Sequence, residues 1–194
     1  MDFEQVVFAR RSIRAFTEQD VAPELIEKLI AYGNEAPSGG NLKAWRFVVV
    51  RDPKRKKAIV EATYQRNSEK NPPQRWIESA PVVIAVCCDL SVVMRRYGRH
   101  AIDNLAYLDC SAAIENMLLG CVHLGLGSTY ISGFRPREMA DALGLPDMVE
   151  PVALLPIGYP KVSGVRREDA PISEITYYEQ YGDKHCPKSA QAQV

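Results

Sequence analysis

The segment from Asp103 to Leu124 carries Ala, Leu and Met on nearly every helical face, and this constrains the fold more than any other stretch. A helix without a polar face belongs in a core or a large interface. Pro81-Val82-Val83-Ile84-Ala85-Val86-Cys87-Cys88, with proline before and aspartate after, reads as a central strand buried on both faces. Trp45 to Val50 and Pro151 to Gly158 are further strands, and Ser128 to Ile131 a short one. Helices are expected around Phe3, Val6 and Val7, and from Pro23 with the stripe Leu25, Ile26, Leu29 and Ile30. Two more are expected from Pro53 to about Thr63 and from Pro136 to Leu143, with Lys70-Asn71-Pro72-Pro73 breaking the chain between them.

Composition narrows the class. The 194 residues suit one domain, expected over 1–182 with a flexible tail over 183–194, and 46% apolar content argues against disorder. Lys plus Arg balances Asp plus Glu at 24 each, so no net field draws nucleic acid or membrane. Arg51-Asp52-Pro53-Lys54-Arg55-Lys56-Lys57 reads as a solvated face at a helix start. No apolar run is expected to reach membrane-spanning length. The first residues lack the pattern of a signal peptide. Five cysteines without framework spacing fit reduced thiols, and the expected compartment is the cytoplasm.

Two short stretches carry the chemistry. Arg10-Arg11-Ser12-Ile13-Arg14 packs three guanidinium groups and a hydroxyl into five residues. Such a cluster repels itself unless an anion neutralises it, and arginine forks match phosphate oxygens bidentately. The structural alternative is a solvated basic edge. Ala36-Pro37-Ser38-Gly39-Gly40-Asn41-Leu42-Lys43-Ala44-Trp45 is a glycine-rich turn feeding a strand, where small residues let backbone amides approach a flat ligand. Gly125-Leu126-Gly127 is no dinucleotide fingerprint, because it closes a helix and precedes a strand; it reads as a C-cap. His100, His123 and His185-Cys186 lack zinc spacing, so no metal is expected. Cys87 and Cys88 point to opposite faces of a strand and read as core. Ser38 lies in no nucleophile elbow.

Taken in order, these stretches resemble the nitroreductase family over about residues 3 to 182. Arg10 to Phe16 is similar to its arginine-serine stretch, and Ala36 to Phe47 to its Pro-Ser-x-x-Asn-x-x-x-Trp stretch. The helix around Asp109 and Asn116 with its Gly-Leu-Gly ending, Tyr130-Ile131-Ser132-Gly133-Phe134, and Leu155-Pro156-Ile157-Gly158-Tyr159-Pro160 follow. Two departures stand out. Lys43-Ala44 replaces the usual Gln-Pro, loosening the turn and adding a cation near the site. Asp169 stands where the family tends to place a phosphate-binding arginine, leaving Arg166 or Arg167 as substitutes.

The resemblance implies an α+β, three-layer α-β-α fold with a mixed, mainly antiparallel sheet. It implies a homodimer with tightly bound FMN at the interface, the Asp103 helix at its centre, and the tail after Glu174 adding a strand to the partner's sheet. FMN would be held by Arg10, Arg11, Ser12, Arg14, Pro37, Ser38, Gly39, Asn41, Ser132, Gly133, Arg166 and Arg167. Arg14 and Arg75 are candidates for stabilising charge on the reduced ring. No side chain is expected to act as general acid or base. The implied function is an oxidoreductase in which NADH or NADPH, bound transiently, reduces nitroaromatics, quinones or related electrophiles by alternating half-reactions. Alternatives are a flavin or enone reductase or a reductive dehalogenase on the same scaffold, and, in another class, a flavin- or nucleotide-binding sensor without turnover.

Overall fold

Successive residues of one strand divide the interior into two cores. β2 (Val82–Asp89) sends Val82, Ile84, Val86 and Cys88 to one side and Val83, Ala85 and Cys87 to the other, all fully buried. This is the period-2 alternation of a strand covered on both faces. The computed structural model describes residues 1–65, 68–102, 104–165 and 168–184. Asp103, Arg166, Arg167 and most of the expected tail lie outside the described residues. The chain forms two compact units, Met1–Gly164 and one beginning at Val165.

In the first unit β2 lies between β1 (Trp45–Val50) and β3 (Val149–Ile157), both antiparallel to it. The first core side is closed by α2 (Pro23–Asn34) and α5 (Leu105–His123), with Leu90 and Val93 of α4 (Leu90–Tyr97). The second is closed by α3 (Pro53–Glu61), a 3-10 turn at Arg75–Ser79 and α6 (Pro136–Leu143). Helices on both faces of one small sheet make the expected α+β, three-layer arrangement. α1 (Phe3–Ala9) precedes them, opened by a capping box in which Asp2 and Gln5 bond reciprocally.

α5 stops as its sequence suggests. Gly125 adopts φ +73°, Leu126 N–H donates to Cys121 O at 2.7 Å and Gly125 N–H to Val122 O at 3.1 Å. These two bonds are the Schellman motif, so the glycines are a C-cap.

Three expectations are corrected. Ser128–Ile131 is not a regular strand. Gly127 pairs with Gly158 and Ile131 with Leu154 along the outer edge of β3, in one antiparallel register. That register sets Thr129 opposite Pro156, which has no N–H to donate, so the ladder breaks midway. The basic run is not wholly solvated: Lys56 is only 9% exposed and donates through Nζ to Ala80 O at 2.8 Å. Burial holds its ammonium below the usual lysine range. Finally, Arg99–His123 is long and apolar enough by composition to cross a membrane, though half of its most apolar window is buried inside the protein.

A parallel bridge joins Ser12 to Ser128, with Ile13 N–H donating to Ser128 O at 3.0 Å, so the sheet region is mixed. The second unit carries the short helix α7 (Ile172–Ile175). Lys184 Nζ donates to the carbonyls of Ser173, Glu174 and Thr176 and sits 3.8 Å from the Tyr177 ring centroid.

Candidate functional site

The glycine-rich turn is a tightly wound loop between α2 and β1. Gly40, Asn41 and Lys43 all have positive φ, at 57°, 55° and 47°. Two of these are not glycine, so the conformation has to be imposed by its surroundings. Ser38 Oγ accepts the Lys43 N–H at 3.0 Å and Ser38 O accepts the Asn41 N–H at 2.9 Å, closing the loop on itself. Asn34, at the end of α2, fastens its far side. Its carbonyl accepts Lys43 Nζ at 2.6 Å and its side-chain oxygen accepts the buried Trp45 indole N–H at 3.2 Å. Lys43 ties the turn back to α2, and its charge lies at a helix C-terminus, where the dipole favours it.

The near side of the loop rests on α5. Gly39 N–H donates to both Asp109 carboxylate oxygens at 3.1 Å. Asp109 is 7% exposed; burial pushes its carboxyl above the usual range, and the Gly39 bond pulls part of that back. A Cβ on Gly39 would meet the Leu105 side chain at 2.8 Å, and one on Gly40 would meet the Tyr97 hydroxyl at 2.5 Å. Gly40→Ala is accordingly expected to destabilise the protein by about 1–2 kcal/mol through left-handed strain alone, with more from displacing Tyr97. Chemical denaturation of Gly40→Ala with and without Tyr97→Phe separates the two: the second change should recover the packing loss only.

The arginine stretch follows α1 and lies along the other end of α5. Arg10 approaches Glu115 at 3.7 Å, a long and solvent-screened pair. Arg11 donates to Arg10 O at 2.6 Å. Neither Arg11 nor Arg14 has a carboxylate partner among the described residues. Arg14 and Ser12 are exposed, whereas Ile13 between them is buried with Phe16 and Ala80. Close by, through the Ser12–Ser128 bridge, the buried Ser128 hydroxyl has no hydrogen-bond partner among the described residues. Further along the same loop, the Ser132 and Gly133 N–H groups donate to no described residue, while Gly133 O accepts from Tyr64 N–H at 2.9 Å and Gln74 Nε2 at 3.3 Å.

Arg10 to Ile13 and Gly127–Ser128 thus share one neighbourhood, Ser132 and Gly133 follow on the same loop beside Tyr64 and Gln74, and Ser38 to Asn41 occupies another place on α5. No hydrogen bond or ion pair among the described residues joins the two. Arg75 does not supply an unpaired charge: it meets Glu61 at 2.8 Å and Glu78 at 3.5 Å. Sequence reasoning left Asp109, Asn34 and Ser128 without roles. The signal for Asp109 was an acidic residue on an otherwise apolar helix.

Comparison with known proteins gives the family and the fold. The chain matches the model of the nitroreductase family over residues 7–159. It is 33% identical over 163 residues to an Archaeoglobus fulgidus protein provisionally named NADH dehydrogenase/NAD(P)H nitroreductase, covering 81% of this chain and 84% of that one. It is 29% identical over 189 residues to a Bacillus subtilis FMN reductase using NAD(P)H, covering 88% and 71%. A crystal structure of a nitroreductase family protein from Streptococcus pneumoniae superposes with a TM-score of 0.81 at 22% identity, over 91% of this chain and all of that one, which shows the shared fold.

Proposed function

The chain belongs to the nitroreductase family of NAD(P)H- and FMN-linked oxidoreductases, and from that premise we propose that it holds FMN tightly between two copies of itself. In this reading NADH or NADPH, bound transiently, supplies electrons for reduction of a nitroaromatic, a quinone or a related electrophile. The observation that carries it is the charge imbalance at Arg10, Arg11 and Arg14, where three guanidinium groups have one distant carboxylate among the described residues. A phosphate with nearly two negative charges is the anion such a cluster fits. The Ser132 and Gly133 amides, without acceptors among the described residues, are further donors suited to a polar, partly planar ligand.

FMN, when bound, would supply the redox chemistry that links the nicotinamide to the second substrate. The protein binds and orients. Arg10, Arg11, Ser12 and Arg14 would hold the phosphate, ribityl chain and ring edge, with Arg166 or Arg167 as an added partner. The Pro37, Ser38 and Gly39 backbone and the Asn41 side chain address the ring, and the Ser132 and Gly133 amides its other edge. Arg14, at the ring end of that stretch, would stabilise negative charge on the ring. The site needs no protein acid or base, since water can supply the proton.

The separation of the two neighbourhoods supports a homodimer, in which the second copy brings its Ser38 loop to the arginine stretch. An apolar groove of about 400 Å³ lies between α1, α2 and α5, lined by Phe3, Val6, Tyr32 and Leu119 among others. It suits the same face. Cys87, Cys88, Cys110 and Cys121 are all free and buried, which supports a reducing cytoplasm.

Purified protein is expected to be yellow, to bleach with NAD(P)H under anaerobic conditions, and to recover its colour with a nitroaromatic. A protein that binds flavin without bleaching would instead be a binding module. Arg10→Ala and Arg14→Ala should each cost roughly 1.5–3 kcal/mol of FMN affinity, the range of a charged hydrogen bond, while the fold survives. Fluorescence titration of apoprotein with FMN checks this; unchanged affinity in both would make the stretch a solvated basic edge.

A further inference from the structure

The best-anchored point of the Ser38 loop is also a buried charge. Asp109 is 7% exposed, and its hydrogen-bond donor among the described residues is the Gly39 N–H, which lies 3.1 Å from each carboxylate oxygen. Around it stand groups that do nothing to stabilise an anion. Cys88 and Cys110 are buried thiols on its own side of the sheet, and Leu105 packs against Gly39. A buried carboxylate with one amide donor is poorly compensated, and Gly39 is half-buried, so its N–H can turn to water when the acceptor is lost; the aspartate adds little net stability there. Stability therefore does not explain an aspartate at this position.

Its effect on the loop does. The single bond to Gly39 fixes the residue between Ser38 and the left-handed pair Gly40–Asn41. Ser38 and Asn41 take their direction from that point. Without an acceptor on α5, the loop keeps its internal bonds but loses its anchor to the helix.

We propose that Asp109 is a positioning residue for the cofactor. It holds the Gly39 amide so that Ser38 and Asn41 face the flavin ring, and its work lies in ligand binding rather than in folding. This rests on the FMN reading given above. Asp109 itself does not touch the ligand.

The test compares Asp109→Ala, which removes the acceptor without adding volume, with Asp109→Asn, which keeps a carbonyl oxygen for Gly39. Asp109→Ala apoprotein is expected to resist denaturant nearly as well as the unaltered protein. It should bind FMN roughly tenfold or more weakly and show faster amide hydrogen exchange across 38–43. Asp109→Asn should restore both FMN affinity and exchange protection. A structural residue would lower stability and affinity together, so parallel loss in Asp109→Ala overturns the proposal. Unchanged FMN affinity and exchange in that variant overturns it too, as does failure of Asp109→Asn to rescue. Absence of FMN binding by the unaltered protein would instead sink the FMN reading, and exchange at 38–43 would still report whether Asp109 anchors the loop.

Discussion

Met117→Asp is expected to abolish the folded protein rather than its assembly. From the sequence alone, an apolar α5 suggests that a charge at Met117 or Leu118 would drive a pair of subunits apart. In the structure Met117 is fully buried and Leu118 is 5% exposed, both within the core that α5 forms with α2 and the sheet. An unpaired carboxylate there costs about 4–5 kcal/mol or more, against a total stability of about 5–15 kcal/mol. Circular dichroism and solubility should report the loss. The proper probe of association is Leu108→Asp: on the same helix, that side chain is 67% exposed. It should fold normally, and light scattering then tells whether this face meets a second copy.

The second large effect is expected at Gly127. A Cβ there would lie 2.8–2.9 Å from three atoms of Ile13, including its Cβ, which cannot swing away. Gly127→Ala should therefore cost about 1–3 kcal/mol by overpacking, and Gly127→Val more. Because Ile13 sits between Ser12 and Arg14, the displacement also moves the arginine stretch. FMN affinity should fall along with stability, unlike the response to Arg14→Ala, which should leave stability alone. Adding Ile13→Ala removes two of the three contacts and should recover some of both losses, a non-additivity that a double-mutant cycle would measure.

Features set by local chemistry were legible in the chain. Proline at the first turn of α2, α3 and α6 marks their starts, and the Gly125 cap marks the end of α5. The alternation that splits β2 between two cores follows from an unbroken apolar run between proline and aspartate. α4 was hidden because Val92 and Val93 are β-branched and its apolar residues follow those of β2 after Asp89 alone. The chain turns there because Asp89 is held by Arg46 at 2.9 Å and Leu90 N–H by Met148 O at 2.8 Å. Those are long-range contacts that no window of sequence contains. The Lys43 departure was visible, but its consequence was not, since the partner that captures its ammonium lies on α2. For the site, residue types were readable and their grouping was not. Nothing in the spacing says that Ser12 meets Ser128, or that an acid on α5 holds Gly39.

The proline that interrupts the Gly127–Ile131 pairing also gives the sheet a direction of growth. On the β3 side, among the described residues, Pro156 and the bridged loop leave no run of free donors for another strand, and Ser12 bridges the far side of the loop at Ser128. On the opposite side, β1 pairs with β2 alone among the described residues, with Val49 41% exposed. Any strand that this sheet recruits, from its own chain or another, therefore has to enter along Trp45–Val50. The same strand begins at the Trp45 that Asn34 anchors, directly after the Ser38 loop, so an added strand there would stiffen the loop that prepares the site.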